Sequence, residues 1–306
     1  MIRLLLKKLL ESVLLLLVVA TLVFVLVRLL PGGPFDRERA VPPAVDAALR
    51  AKYRLDAPIL GQYRDWMVDL VVHGNLGPTF KYPNRTVNEI IAVSLPVSLQ
   101  IGSLALALAL AVGLPLGVLG AVWRGRPANA VLMAAVTLGV SIPRLVLGPL
   151  LVLVFALGLG LFPVARWETW RHAILPALCA ALPVGAHIAR LARTGMLDVL
   201  GADFIRTARA KGLSERQAVL RHALPVALAP VVSFLGPAAS GLLVGSVVVE
   251  RIFDLPGMGR YFVDAAANRD YNLVTGVVLV YASILVVLDA LADVARTLLD
   301  RRTELR

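Results

Sequence analysis

Residues 95–122 read LPVSLQIGSLALALALAVGLPLGVLGAV, with no charged side chain. A helix rises 1.5 Å per residue and the hydrocarbon core of a bilayer is about 30 Å thick, so roughly twenty such residues cross it. Five further runs repeat the pattern: 13–30, broken by Arg28 near one end, 130–157, broken by Arg144, 173–189, which is the shortest, 225–249 and 271–288. The expected fold class is all-α integral membrane protein with six transmembrane helices. Hydrophobic residues make up 58% of the 306, above the roughly 45–50% of soluble domains, and the surplus must face lipid.

The formal net charge of +11 raises a nucleic-acid reading. The basic residues are scattered over short segments between apolar runs, without interleaved aromatic residues, which argues for no nucleic acid partner. The lone Cys179 sits in an apolar stretch and reads as a small buried residue. No GxxxxGK[ST] loop occurs, since no Gly-Lys pair exists in the chain, so a P-loop nucleotide site is excluded. His73, His172, His187 and His222 are too dispersed for a helical metal pair. No nucleophile, dyad or metal cluster supports an enzyme.

Counting Lys and Arg beside the spans sets orientation. Arg3, Lys7 and Lys8, then Arg124 and Arg126, then the basic loop 190–221, then Arg296, Arg301, Arg302 and Arg306 fall on one side. Both termini are expected in the cytoplasm, with the first span an uncleaved anchor. This divides the chain into an N-terminal transmembrane helix (1–30), an external loop (31–93) and a core with five transmembrane helices (94–306). In the external loop, PPAVDAALRAKYRLDAP and ILGQYRDWMVDLVVHG space apolar residues as two amphipathic helices separated by Pro58, with a turn at Gly74, Gly77 and Pro78. Either a cap over helix ends or a ligand contact fits them.

The connection between the fourth and fifth spans, GMLDVLGADFIRTARAKGLSERQAVLRHALPVALAP (195–230), differs from every other. Leu197 and Leu200, then Phe204 and Ala208, recur at three- and four-residue spacing, with Arg206, Arg209 and Lys211 between them. Gly212 interrupts as a left-handed helix end does, and Ser214 with Gln217 reads as the cap of a second helix. His172 and His222 open HAILP and HALP, where Pro176 and Pro225 fit the first turn of a helix. A basic helix lying on anionic membrane lipid would use the same cations, but it requires neither the break at Gly212 nor small residues at Ala208 and Ala210.

This segment resembles the cytoplasmic loop of binding-protein-dependent ABC transporter permeases, closely the dipeptide/oligopeptide branch. Arg206-Thr207-Ala208 occupies the place of that family's EAA, Gly212 of its G, His222 of its I, and Leu224-Pro225 of its LP. The initial Glu and the Ile are replaced while the spacing holds. Pro31-Gly32-Gly33-Pro34, Gly74-Asn75-Leu76-Gly77 and ERIFDLPGMGRYFVDAAANRDY (250–271) extend the likeness over almost the whole chain, with Gly33, Arg251 and Asp254 as departures.

The resemblance implies a type I ABC importer transmembrane domain in the cell inner membrane, and the first of two unlike permease subunits. It implies a second permease, two ATP-binding subunits that carry ATP and Mg, and an extracytoplasmic solute-binding protein as partners, with no cofactor bound by this chain. By the same resemblance, Phe204, Ile205, Arg206, Thr207, Ala208, Arg209, Ala210, Lys211, Gly212 and Leu213 form the coupling helix that meets the ATPase. Di- and oligopeptides are the implied cargo, with glutathione or metal chelates as alternatives within the family.

An ion-driven secondary transporter is the rival class. Such proteins place acids at mid-membrane, whereas Glu250, Asp289 and Asp293 fall near span ends, and Asp289, Asp293 and Arg296 have the spacing of a structural ion pair. Glu250 with Pro256, Gly257, Met258 and Gly259 reads either as an outer gate touching the binding protein or as a cap of the fifth span. Arg144 counts to roughly 20 Å along an unbroken third span. It faces the interior either as part of a substrate path with Ser141 or as the partner of an acid or carbonyl in the companion subunit.

Overall fold

A computed structural model describes residues 2–29, 51, 53, 56–244 and 246–299. Their order is α1 (Ile2–Leu29), α2 (Ile59–His73), α3 (Val87–Val122), α4 (Pro127–Ser141), α5 (Arg144–Leu151), α6 (Ile174–Leu200), α7 (Asp203–Ala210), α8 (Glu215–Gln217), α9 (Leu224–Ala227), α10 (Ala229–Leu243), α11 (Val247–Ile252), α12 (Met258–Ala267) and α13 (Tyr271–Leu299). Among the described residues, five helices are long and apolar enough to cross a membrane, or six if the bent pair α4 and α5 counts as one span. Contacts group the chain into two compact units, Met1–Val97 with Pro256–Val286, and Ser98–Leu255 with Val287–Arg306. The long helices α3 and α13 each contribute to both.

In the first unit, the last turns of α1 receive the amphipathic helix α2. Phe24 meets Tyr63 edge-on at 5.2 Å and Trp66 at 5.3 Å, and Tyr63 shares a hydrogen bond of 2.7 Å with Thr21. Arg28, the charge that interrupts the first apolar run, lies 3.5 Å over the Phe24 ring and donates from Nε to Gln62 Oε1 at 3.1 Å. The aromatic face and the amide replace part of its hydration. From Ser12 to Val27 α1 carries no charge and is outward-facing: only 11% of its most hydrophobic window is buried, as a lipid-facing span requires. Gly74 closes α2 in the left-handed conformation (φ 61), at the expected turn. Most of the first expected amphipathic helix, residues 42–58, lies outside the described residues.

Helix α3 begins at Val87, well before residue 95 where the apolar run starts. A reciprocal cap explains the difference: the Glu89 N–H donates to Thr86 Oγ1 and the Thr86 N–H to Glu89 Oε2, both at 3.2 Å. These satisfy two of the N–H groups that a helix start leaves without partners. At 1.5 Å per residue its 36 residues reach roughly 54 Å, more than a bilayer core needs.

In the second unit, α3 and α6 approach to backbone distance. A methyl group on Gly113 would collide with the Gly185 carbonyl, so the contact exists because both positions lack a side chain. The third span is not one helix. Ser141 donates back to the Thr137 carbonyl at 2.9 Å, Pro143 is extended (ψ 140), and α5 leaves at 109° to α4. Proline removes a backbone donor and biases its predecessor away from helix. Pro149 then lies inside α5, and the chain widens into a π-helical stretch, Val152–Gly158. The fifth span is also interrupted, after Ala227 and again between Leu243 and Val247.

Candidate functional site

The segment between α6 and α9 forms two short helices around a sharp turn. Helix α7 carries Asp203 in its first turn and Arg209 in its last, matching its dipole. Gly212 has φ 86, and Ser214 caps α8: its hydroxyl accepts the Gln217 N–H while Gln217 Oε1 accepts the Ser214 N–H at 3.1 Å. Across the turn, the Arg209 guanidinium grips Glu215 with both Nε (2.9 Å) and Nη2 (2.8 Å). This bidentate pair holds the Glu215 carboxyl below its ordinary range, the Arg209 hydrogen bond being the main cause.

The buried face of α7 differs from the expected one. Ile205 is fully buried and Ala208 is 8% exposed, whereas Phe204 is 46% exposed. Ile205 packs with Ala121, Met196, Val219, Ala223 and Ala227, so α7 is fixed on the ends of α3 and α6. Arg193 adds an Nε–H bond to the Gly120 carbonyl near the end of α3 (3.2 Å), satisfying an acceptor that helix ends leave open. Phe204, Arg206, Thr207, Arg209, Ala210, Lys211 and Gly212 remain exposed, and Leu213 is half-buried. His222 opens no helix. It lies in a π-helical stretch, Ala218–Ala223, that continues from the Ser214 cap and runs into the turn holding Pro225.

The expected outer gate is not at the surface. Glu250 is fully buried: its Oε1 accepts the Ser98 hydroxyl at 2.7 Å and the Ser246 hydroxyl at 2.5 Å. Met258 is equally buried, Gly257 and Gly259 are buried, and Pro256 is half-buried. In this conformation Glu250 and Met258 therefore offer nothing for a binding protein to touch. The reason is local: a carboxylate near a span end is stabilised by two neighbouring hydroxyls more readily than by exposure at an apolar boundary. Ser98 and Ser246 were invisible as its partners, being single polar residues in apolar runs.

Ser141 is exposed at the end of α4, and Arg144, half-buried, opens α5. The bend between them cancels the depth count for Arg144, which assumed one straight helix. Cys179 is buried, as expected, with its Sγ 3.8 Å from the Arg144 carbonyl. Of the expected ion pair, Asp289 is exposed, and the side chains of Asp293 and Arg296 lie outside the described residues. Among the described residues, no cluster of three His, Cys, Asp or Glu is placed to hold a metal.

Residues 113–305 match the family described as Binding-protein-dependent transport system inner membrane component, and residues 1–101 match its N-terminal region. The chain belongs to this family. As such a component it is an integral protein of the inner membrane and part of a transport system. It is 41% identical over 302 residues, 98% of both chains, to the oligopeptide transport system permease protein OppB of Haemophilus influenzae. To the dipeptide transport system permease protein DppB of Bacillus subtilis it is 41% identical over 289 residues, 94% of both. In fold it resembles the MetNI methionine ABC transporter in inward-facing form, with TM-score 0.55 and 22% identity over 69% of this chain and 97% of that one. An amino acid ABC transporter crystallised with histidines is similar at TM-score 0.55 and 17% identity, covering 69% and 94%. This inner-membrane component thus has the type I ABC importer transmembrane fold.

Proposed function

We propose that the chain is one of two unlike permease subunits in an ATP-driven importer of di- and oligopeptides. The observation that carries this reading is the relationship to OppB over 98% of both chains. The turn at Gly212 supports the coupling role: a rigidly based, exposed helical hairpin presents Phe204, Arg206, Thr207 and Lys211 to an ATPase subunit. Both termini and this hairpin face the cytoplasm. A binding protein delivers cargo from outside, and two ATP-binding subunits hold ATP and Mg. Switching between outward and inward states draws on their differential affinity for each state. Ser141 and Arg144, at the bend between α4 and α5, border the path.

The test is reconstitution in proteoliposomes with the second permease, the ATPase subunits and the binding protein. Radiolabelled trialanine should accumulate only with ATP, and the purified chain alone should hydrolyse none. Accumulation driven by an ion gradient without ATP would establish the secondary-transporter class instead. Competition by glutathione or a metal chelate, but not by peptides, would reassign the cargo.

A further inference from the structure

A carboxylate removed from water within a membrane-spanning segment is costly and persists only where partners compensate it. Glu250 meets that description, and its place in the chain gives the cost a purpose. Ser98, whose hydroxyl it binds across 152 residues of sequence, is the first residue of α3 inside the second compact unit. Five residues beyond Glu250 the chain leaves that unit again, between Leu255 and Pro256. The Glu250 backbone carbonyl accepts the Leu255 N–H at 2.9 Å. One residue therefore ties α3 with its side chain and closes the turn after α11 with its main chain.

The helix that carries Glu250 is short and held at both ends. The six-residue α11 is separated from α10 by a turn, and Ser246 at its start supplies the second hydroxyl. Its far end is anchored within the same unit: Ile252 lies where a side chain on Gly148 of α5 would sit, and the Phe253 carbonyl accepts the Arg166 N–H at 3.2 Å. We propose that Glu250 is a positioning residue for transport. It fastens α11 to α3 within the second unit, so that the two helices move together when that unit rearranges.

This inference rests on the importer reading, and the test separates the two. In the reconstituted complete importer, trialanine accumulated per ATP hydrolysed is compared for wild type, Glu250→Gln, Glu250→Ala and Ser98→Ala. Glu250→Ala should lower that ratio about tenfold, a typical coupling free energy. Glu250→Gln, whose amide oxygen accepts the same hydroxyls, should stay within about threefold, the worth of one hydrogen bond. Ser98→Ala should fall between them. A residue that only stabilises the fold would reduce the yield of assembled complex and leave the ratio at its wild-type value, and that result in both alanine variants overturns the proposal. If Glu250→Ala does not assemble, the ratio for Ser98→Ala decides by the same criterion. A wild-type importer that accumulates no trialanine overturns the peptide reading alone; Glu250 is then judged by the factor by which the binding protein stimulates ATP hydrolysis.

Discussion

The carboxylate of Asp270 holds the backbone of Phe80, 190 residues earlier in the chain, accepting its N–H at 2.9 Å. It also accepts the N–H of Lys81 at 3.1 Å and of Leu273 at 3.2 Å. One fully buried side chain thus caps α13 and anchors the segment leading into α3.

Asp270 makes stability depend on pH with a defined sign. Burial raises its pKa above the ordinary 3.8, and the bonds from Lys81, Leu273 and Phe80 offset this only in part. A raised folded-state pKa contributes stability that is complete below the unfolded value and is lost as pH rises through the folded one. In detergent, Asp270→Asn keeps one accepting oxygen but turns its NH2 toward the remaining N–H donors, so it should melt below wild type, and the gap should widen in acid, where wild type gains stability. Asp270→Ala, which leaves three N–H groups without an acceptor, should be destabilised by about 2 kcal/mol or more throughout. Equal melting losses in both variants would contradict this account.

Gly212 governs the hairpin between α7 and α8 through backbone conformation alone. A Cβ there would meet nothing within 4 Å, yet φ is 86. Gly212→Val should cost about 1–2 kcal/mol locally and abolish uptake, while Gly212→Asn, which tolerates the left-handed region, should retain most of it. The Arg209–Glu215 pair adds a pH signature. Its contribution is present above the ordinary Glu215 pKa of 4.5 and is lost as pH falls through the lowered folded value. Amide-exchange protection near the turn, taken relative to the intrinsic rate at each pH, should fall there in wild type but not in Glu215→Gln.

Neighbouring residues of α7 should fail in different ways. Phe204 is exposed, so Phe204→Ala should weaken co-purification of the ATPase subunit about tenfold without changing the melting temperature of the permease. Ala208 faces the chain's own interior, and Ala208→Glu would bury a charge without compensation. Its uptake should be lost together with stability, which separates a misfolded hairpin from a failed docking contact. An unchanged melting curve for Ala208→Glu would return Ala208 to the docking surface.

What could be read from the residues alone was local. Gly212 and the pairing of Ser214 with Gln217 were legible because a positive φ and a reciprocal cap each involve residues a few positions apart. The same logic applied to Thr86 and Glu89 would have moved the start of α3 to Val87; the apolar run drew attention to residue 95 instead. Spacing in an eight-residue helix allows a face through Phe204 and Ala208 as readily as one through Ile205 and Ala208. Only the cluster beneath, with Met196 and Val219, settles which is buried. The Glu250–Ser98 and Asp270–Phe80 bonds leave no periodic trace, because long-range pairing imposes none. Pro143 signalled a loosened helix, but the 109° turn depends on how α5 packs against α6 and α11.

That turn changes what Arg144 can do. As the opening residue of α5 it sits beside the bend, with the Cys179 thiol against its carbonyl and its side chain half-buried. A guanidinium in a membrane domain costs about 2.5–3.5 kcal/mol on the insertion scale unless it finds a protein or substrate partner. Arg144→Gln keeps the length and polarity and removes the charge. If Arg144 attracts the C-terminal carboxylate of a peptide along the path, the variant should assemble normally and import free-carboxylate peptides several-fold more slowly than amidated ones, in contrast to wild type. If it instead pairs with the companion permease, the two subunits should co-purify poorly and both peptide classes should suffer equally. Normal assembly with unchanged uptake of both classes would remove Arg144 from either role and leave Ser141 as the remaining polar side chain proposed for that bend.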